Sequence, residues 1–142
     1  MTAAFADLAP LAEAMAAQAR ATSTPGDRET AAAIAALLTI EPRNTEHVLE
    51  IITAIVGDAL ADPFRETTAN RWRPLLPGWV RRPLIGATVN RLRAAGLLVT
   101  TGRYARCTDT AGRNGGKLQP IYALDLEALP AGARGDAEPA TR

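Results

Sequence analysis

The chain of 142 residues is 47% hydrophobic and 4% aromatic, and its net charge at pH 7 is +1. That is the size of one domain with a terminal element, and the apolar content excludes general disorder. Apolar runs fall short of the roughly 20 residues a bilayer span requires. The first charge is Asp7 rather than a basic n-region, and the lone Cys107 excludes an internal disulfide or a cysteine zinc site. The expectation is a cytoplasmic protein, mostly helical because alanine is abundant before Ala36.

The small net charge hides an asymmetry. Residues 1–70 carry four arginines against ten acids, net −6. Residues 71–117 carry nine arginines and one lysine against Asp109 alone, net +9, and residues 118–142 carry two arginines against four acids, net −2. A segment this basic makes a local positive field that attracts polyanions whatever the total charge. A solvated arginine surface, neutralised by the acidic half, is the competing reading.

Phe5, Leu8, Leu11, Ala12 and Met15 recur at helical spacing and predict a helix over 3–20. Pro25-Gly26 centres a turn, after which Asp27 caps a helix over 27–38 that buries Ile34, Leu37 and Leu38. Residues 41–44 break it, and Thr45 caps a third helix. Its Val48, Ile51, Ile52, Ile55, Val56 and Leu60 keep the i, i+3, i+4 pattern until Asp62-Pro63. A shorter helix starts near Thr68 with Trp72 and Leu75 on its inner face, its end blurred by Pro74 and Pro77. Trp79, in the following turn, is either a core plug or a contact to a partner backbone. Pro83 opens a helix that runs to Ala95, and Gly96 suits the left-handed position that closes it.

The period then becomes extended. Residues 97–104 read as a strand with Gly102 a candidate bulge, and residues 119–124 read as its antiparallel partner. Between them lies a polar loop with a tight-turn signal at Asn114-Gly115-Gly116. Beyond Leu129, proline, glycine and charge predict a disordered tail over 130–142.

Helix, turn, helix and a hairpin with a long basic loop follow one another, and Ile85 to Ala95 runs through Gly96-Leu97-Leu98 straight into a strand. Over roughly residues 45–124 this resembles the winged helix-turn-helix superfamily of DNA-binding proteins. More loosely, it is similar to small members encoded by actinobacterial genomes and their phages. The resemblance implies a mainly α fold with a β-hairpin wing and extra N-terminal helices. It implies a recognition helix at 83–95 for the major groove and a wing at 103–118.

Helical geometry bears on that role independently. At 100° per residue, Ile85, Val89 and Leu92 face a core, leaving Gly86, Ala87, Asn90, Arg91, Arg93 and Ala94 opposite. Small residues let a helix lie close in the groove, while Asn90 and Arg91 are the types that read adenine and guanine. The expected DNA contacts are Arg81 and Arg82 at the helix start, then Thr88, Asn90, Arg91 and Arg93. On the wing they are Arg103, Arg106, Arg113, Asn114 and Lys117, on phosphate or in the minor groove.

Nothing forms a catalytic constellation, so no enzyme, cofactor or metal is expected. Residues 112–118 glance at a phosphate loop, but Ala111 and Leu118 occupy its glycine and Ser/Thr positions. His47, Glu46 and Glu50 read as surface residues, and Cys107 as an inert thiol. The expected division is 1–44 as a helical extension, 45–129 as the winged-helix domain and 130–142 as the tail. The apolar faces of the extension, with Phe5, Leu8, Met15, Ile34, Leu37 and Leu38, suggest a homodimer. A sequence-specific transcriptional regulator is one functional expectation. A protein-docking module, or an accessory factor for phage or mobile-element replication or recombination, remains open beside it.

Overall fold

In the computed structural model, residues 8–21, 39–108 and 116–129 are described. The isoleucine stripe forms the longest helix of these segments, α2 (Thr45–Leu60), which buries Val48, Ile51, Ile52, Ile55, Val56 and Ala59. A 3-10 turn, Pro42–Asn44, leads into it, so Asn44 rather than Thr45 is the N-cap residue. Asn44 makes no side-chain cap; its Oδ1 accepts a bond from Arg81 instead.

The first helix, α1 (Leu8–Ala21), buries Leu8, Leu11, Ala12, Met15, Ala16 and Ala19. These positions form one stripe at helical spacing, and the stripe packs on α2 and on α4 (Arg82–Ala94). Burial of Leu8, Leu11 and Met15 is worth about 2 kcal/mol each before ordering costs. The apolar surface expected to join a second copy is therefore spent inside the chain's own core, at least for Leu8 and Met15. Phe5, Ile34, Leu37 and Leu38 lie outside the described residues, as does the tail at 130–142.

After α2, Asp62 turns the chain. Its Oδ2 accepts the backbone N–H groups of Phe64 at 2.9 Å and Glu66 at 3.1 Å. These two bonds, Glu66's first, with Arg71 and Arg103 nearby, hold its carboxyl below the ordinary aspartate range. The turn delivers β1 (Glu66–Thr67). Thr68 then caps α3 (Ala69–Trp72), accepting from the Asn70 N–H at 3.0 Å, and a 3-10 turn follows at Arg73–Leu75. Trp72 is buried as expected, but Leu75 is 70% exposed. Pro74 cannot donate to a continuing helical ladder, so there is no second α turn to carry Leu75 along the inner face.

Pro83 lies in the first turn of α4, and the helix closes with paired bonds from Gly96 N–H to the Arg93 carbonyl and from Leu97 N–H to the Leu92 carbonyl. Gly96 supplies the positive φ of +79° this closure needs, and fully buried Leu92 and Leu97 complete it. The chain continues into β2 (Leu98–Arg106) and β3 (Leu118–Leu124). Their antiparallel register slips between Thr100 and Tyr104, where Gly102 has φ +85°, the expected bulge.

The sheet has three strands rather than the two expected, in the order β1-β3-β2, all antiparallel. The chain is thus mixed and mostly helical with a small antiparallel sheet. Its core joins α1, α2, α4 and the inner face of the sheet, closed by Leu129 after a short 3-10 turn, Leu126–Ala128. Among the described residues, no helix is long and apolar enough to cross a membrane.

Candidate nucleic-acid interface

Helix α4 carries the candidate site, and its two flanks differ. Leu84, Ala87, Thr88 and Arg91 are buried on one side, and Ile85 and Leu92 on the adjoining one. The remaining arc, about 120° wide at 100° per residue, presents Arg82, Pro83, Gly86, Asn90, Arg93 and Ala94 to solvent. Expectation from a single core predicted a wider open face. Ala87, Thr88 and Arg91 are buried as well, Arg91 against α1, which packs on this helix.

Arg91 is the principal correction. Its side chain is not a base reader: the residue is only 4% exposed, and its guanidinium donates to the Ala19 carbonyl near the end of α1 at 2.8 Å. A buried cation of this kind holds two helices together. Thr88 is also sealed, at 1% exposure, and its hydroxyl has no hydrogen-bond partner among the described residues. Ala87, expected outside, is inside. Asn90 and Arg93 remain on the surface, and the Arg93 guanidinium lies 5.7 Å from the centre of the Tyr122 ring on β3.

At the start of α4, Arg81 is exposed yet anchored. Its N–H donates to His47 Nδ1 at 3.2 Å, and its guanidinium to the buried Asn44 Oδ1 at 3.3 Å. His47, read from sequence as a plain surface residue, thus ties α2 to the entrance of α4. It also meets Trp79 edge-on at 5.2 Å. Trp79 is 53% exposed, which removes the core-plug reading. Arg82 is also exposed.

The hairpin divides its basic residues. Side chains alternate across a strand, so Thr67, Tyr122 and Thr100 share the face toward α4, while Glu66, Ala123 and Val99 share the other. Arg103 pairs with Glu66, which places it on the face away from α4 rather than beside Asn90. Arg71 joins the same cluster through Asp58 at 2.9 Å and Asp62 at 3.8 Å. Two of the arginines that make the segment basic are therefore neutralised locally, in exposed pairs each worth at most about 1 kcal/mol. Arg106 donates to the Gly116 carbonyl at 2.6 Å and Lys117 is exposed, both where the loop closes. Cys107 and Gly116 and Lys117 bond through their backbones there. Arg113 and Asn114 lie outside the described residues.

Sequence reasoning missed Asn70. Its Oδ1 accepts from the Thr108 N–H, the Thr108 hydroxyl and the Gln119 amide at 2.9–3.1 Å, and its Nδ2 donates to the Arg106 carbonyl. One side chain thereby fixes the loop end of the hairpin to α3. No local pattern marks an asparagine whose partners lie 36 to 49 residues away. The arrangement leaves a cleft of about 210 Å³ between α3, α4 and the sheet, with Gly86 and Asn90 at one wall and Arg73 at another. Arg73 stands 5.9 Å from the Trp72 ring centre, and its NH1 lies 3.7 Å from the buried Cys107 Sγ.

Among the described residues, no three His, Cys, Asp or Glu side chains are placed to hold a metal ion. Compared with family models, with curated proteins and with solved structures, the chain matches none.

Proposed function

We propose that the protein binds double-stranded DNA as a winged helix-turn-helix, with the open arc of α4 in the major groove and the closing end of the hairpin loop on phosphate. The order helix, strand, helix, helix, strand, strand from Thr45 to Leu124, with strand order β1-β3-β2, supports this reading. Asn90 offers the amide that pairs with adenine, and Arg93 the guanidinium that pairs with guanine or phosphate. Arg82 stands at the positive end of the helix dipole, where phosphate is favoured.

The observation that carries the proposal is Gly86. It sits inside a 13-residue helix, where glycine costs about 1 kcal/mol against alanine. Nothing lies within 4 Å of where its Cβ would be, so the fold itself does not demand a glycine there. A surface that must come close to the helix backbone does, and α4 carries no acid to repel phosphate. A sequence-specific regulator of transcription is the role this geometry suits, through Asn90 and Arg93.

Titration of fluorescent duplex DNA at two salt concentrations tests it. Binding that weakens with salt is expected, because phosphate contacts release counterions. Absence of binding at low salt rejects the proposal. It would turn attention to a protein partner on exposed Leu75 and Trp79, in the connection between α3 and α4.

A further inference from the structure

The cleft between α3, α4 and the sheet has the room and the lining of a small-ligand site. Buried Trp72, Ile85 and Leu98 and half-buried Val89 and Tyr122 give it apolar walls, two of them aromatic. Its volume of about 210 Å³ exceeds the roughly 150 Å³ apolar cavity known to take a benzene ring. Aromatic walls favour a flat ring, which stacks or meets them edge-on, over a puckered one.

The polar groups of the lining fix the rest of the ligand's chemistry. The Thr67 hydroxyl donates to Asp58 at 2.7 Å, and the Gln119 amide donates to Asn70 at 2.9 Å. Arg73 is engaged within the fold: its guanidinium lies 5.9 Å from the Trp72 ring centre and 3.7 Å from Cys107 Sγ, and it has a further partner. It is therefore not the anchor of a ligand. An ionic group would also give up its water against the apolar walls at a cost they do not return. Exposed Asn90, on the solvent side of the cleft, makes no hydrogen bond among the described residues. Its amide carries a donor and an acceptor side by side, and the complement of that edge is another amide-type edge. Apolar walls with one or two polar groups that fix orientation are the common make-up of small-ligand sites.

We infer that this cleft binds a free, uncharged, planar aromatic molecule with an amide-type edge. Its ring lies against Trp72 and Tyr122, and its edge pairs with Asn90. The inference does not need α4 to bind duplex DNA, and the experiment is run without duplex so that the two claims fail separately.

The test is calorimetric titration of the full chain with benzamide, cyclohexanecarboxamide and benzoate. Saturable one-site binding of benzamide is expected. Cyclohexanecarboxamide keeps the edge and loses the flat ring, benzoate keeps the ring and adds a charge, and each should bind at least about fivefold more weakly. Asn90→Ala, an exposed change that should leave the unfolding midpoint in place, is expected to weaken benzamide about fivefold through the lost amide pair. Tyr122→Leu should reduce the preference for benzamide over its saturated counterpart. Where Tyr122→Leu does not fold, those two ligands compared on the wild-type chain carry the test of the aromatic walls. The inference is overturned by no saturation with benzamide at millimolar concentration, by benzoate or cyclohexanecarboxamide binding as tightly as benzamide, or by an affinity that Asn90→Ala leaves unchanged.

Discussion

Arg91 and Arg93 stand two positions apart on the same helix, yet one is 4% exposed beneath α1 and the other lies in solvent over Tyr122. The buried one fastens Ala19 and the last turns of α1 to α4. The open one shares an arc with Arg82, Gly86 and Asn90. Residue type alone does not separate these roles. The difference lies with α1, a helix some seventy residues earlier in the chain, on which Arg91 is fastened at Ala19.

That contrast can be broken by removing the joint. Arg91→Ala deletes the buried guanidinium and leaves the Ala19 carbonyl without its donor, so a loss of about 2 kcal/mol is expected. Urea unfolding reads it, and a loss below about 0.5 kcal/mol, the range of an ordinary surface change, would mean the flank is not sealed. Thr88→Val, on the same flank, works in the opposite direction. Replacing a buried hydroxyl that has no partner among the described residues by a methyl of similar size should stabilise the fold by up to about 1 kcal/mol, seen as a raised melting temperature.

The open flank gives the sharper test of the contrast. Gly86→Ala should add about 0.5–1 kcal/mol of stability through helix propensity, while weakening duplex binding because the new methyl keeps the helix off the groove. Stability and binding moving in opposite directions is the expected signature. Both rising together would show that nothing needs to approach the backbone there.

The smallest effect lies at the far side of the sheet. Asp62 titrates below its ordinary value because it accepts the Glu66 and Phe64 N–H groups. A depressed folded-state pKa contributes stability above the unfolded value and loses it as pH falls through the folded one. The wild type should therefore outlast Asp62→Asn at neutral pH, and the gap should close below about pH 4. Thermal melts of the two proteins across that range check the sign.

Local chemistry was legible in the sequence. The isoleucine period set α2, the Gly96-Leu97 closure ended α4 where expected, and Gly102 marked the bulge, because each depends on neighbours within a few residues. β1 was not legible, since two residues carry no period and exist as a strand only by pairing with Ala123 and Tyr122. The candidate site was half legible. Asn90 and Arg93 lie on the expected face, but Thr88 is buried, and Arg91 is buried with its guanidinium on Ala19 of α1. The placement of Arg103 depends on which face of the sheet Glu66 occupies. Tertiary contacts across tens of residues decide such questions, and amino-acid type does not report them.

The central claim is that the open arc of α4, and not its sealed flank, meets DNA. Affinity for a duplex selected from a random pool, measured for wild type and for Asn90→Ala/Arg93→Ala, tests it most directly. The account predicts that the double variant unfolds at the wild-type midpoint, binds at least about tenfold more weakly, and no longer prefers the selected sequence over an unrelated one. Undiminished affinity and preference in a folded double variant would contradict it.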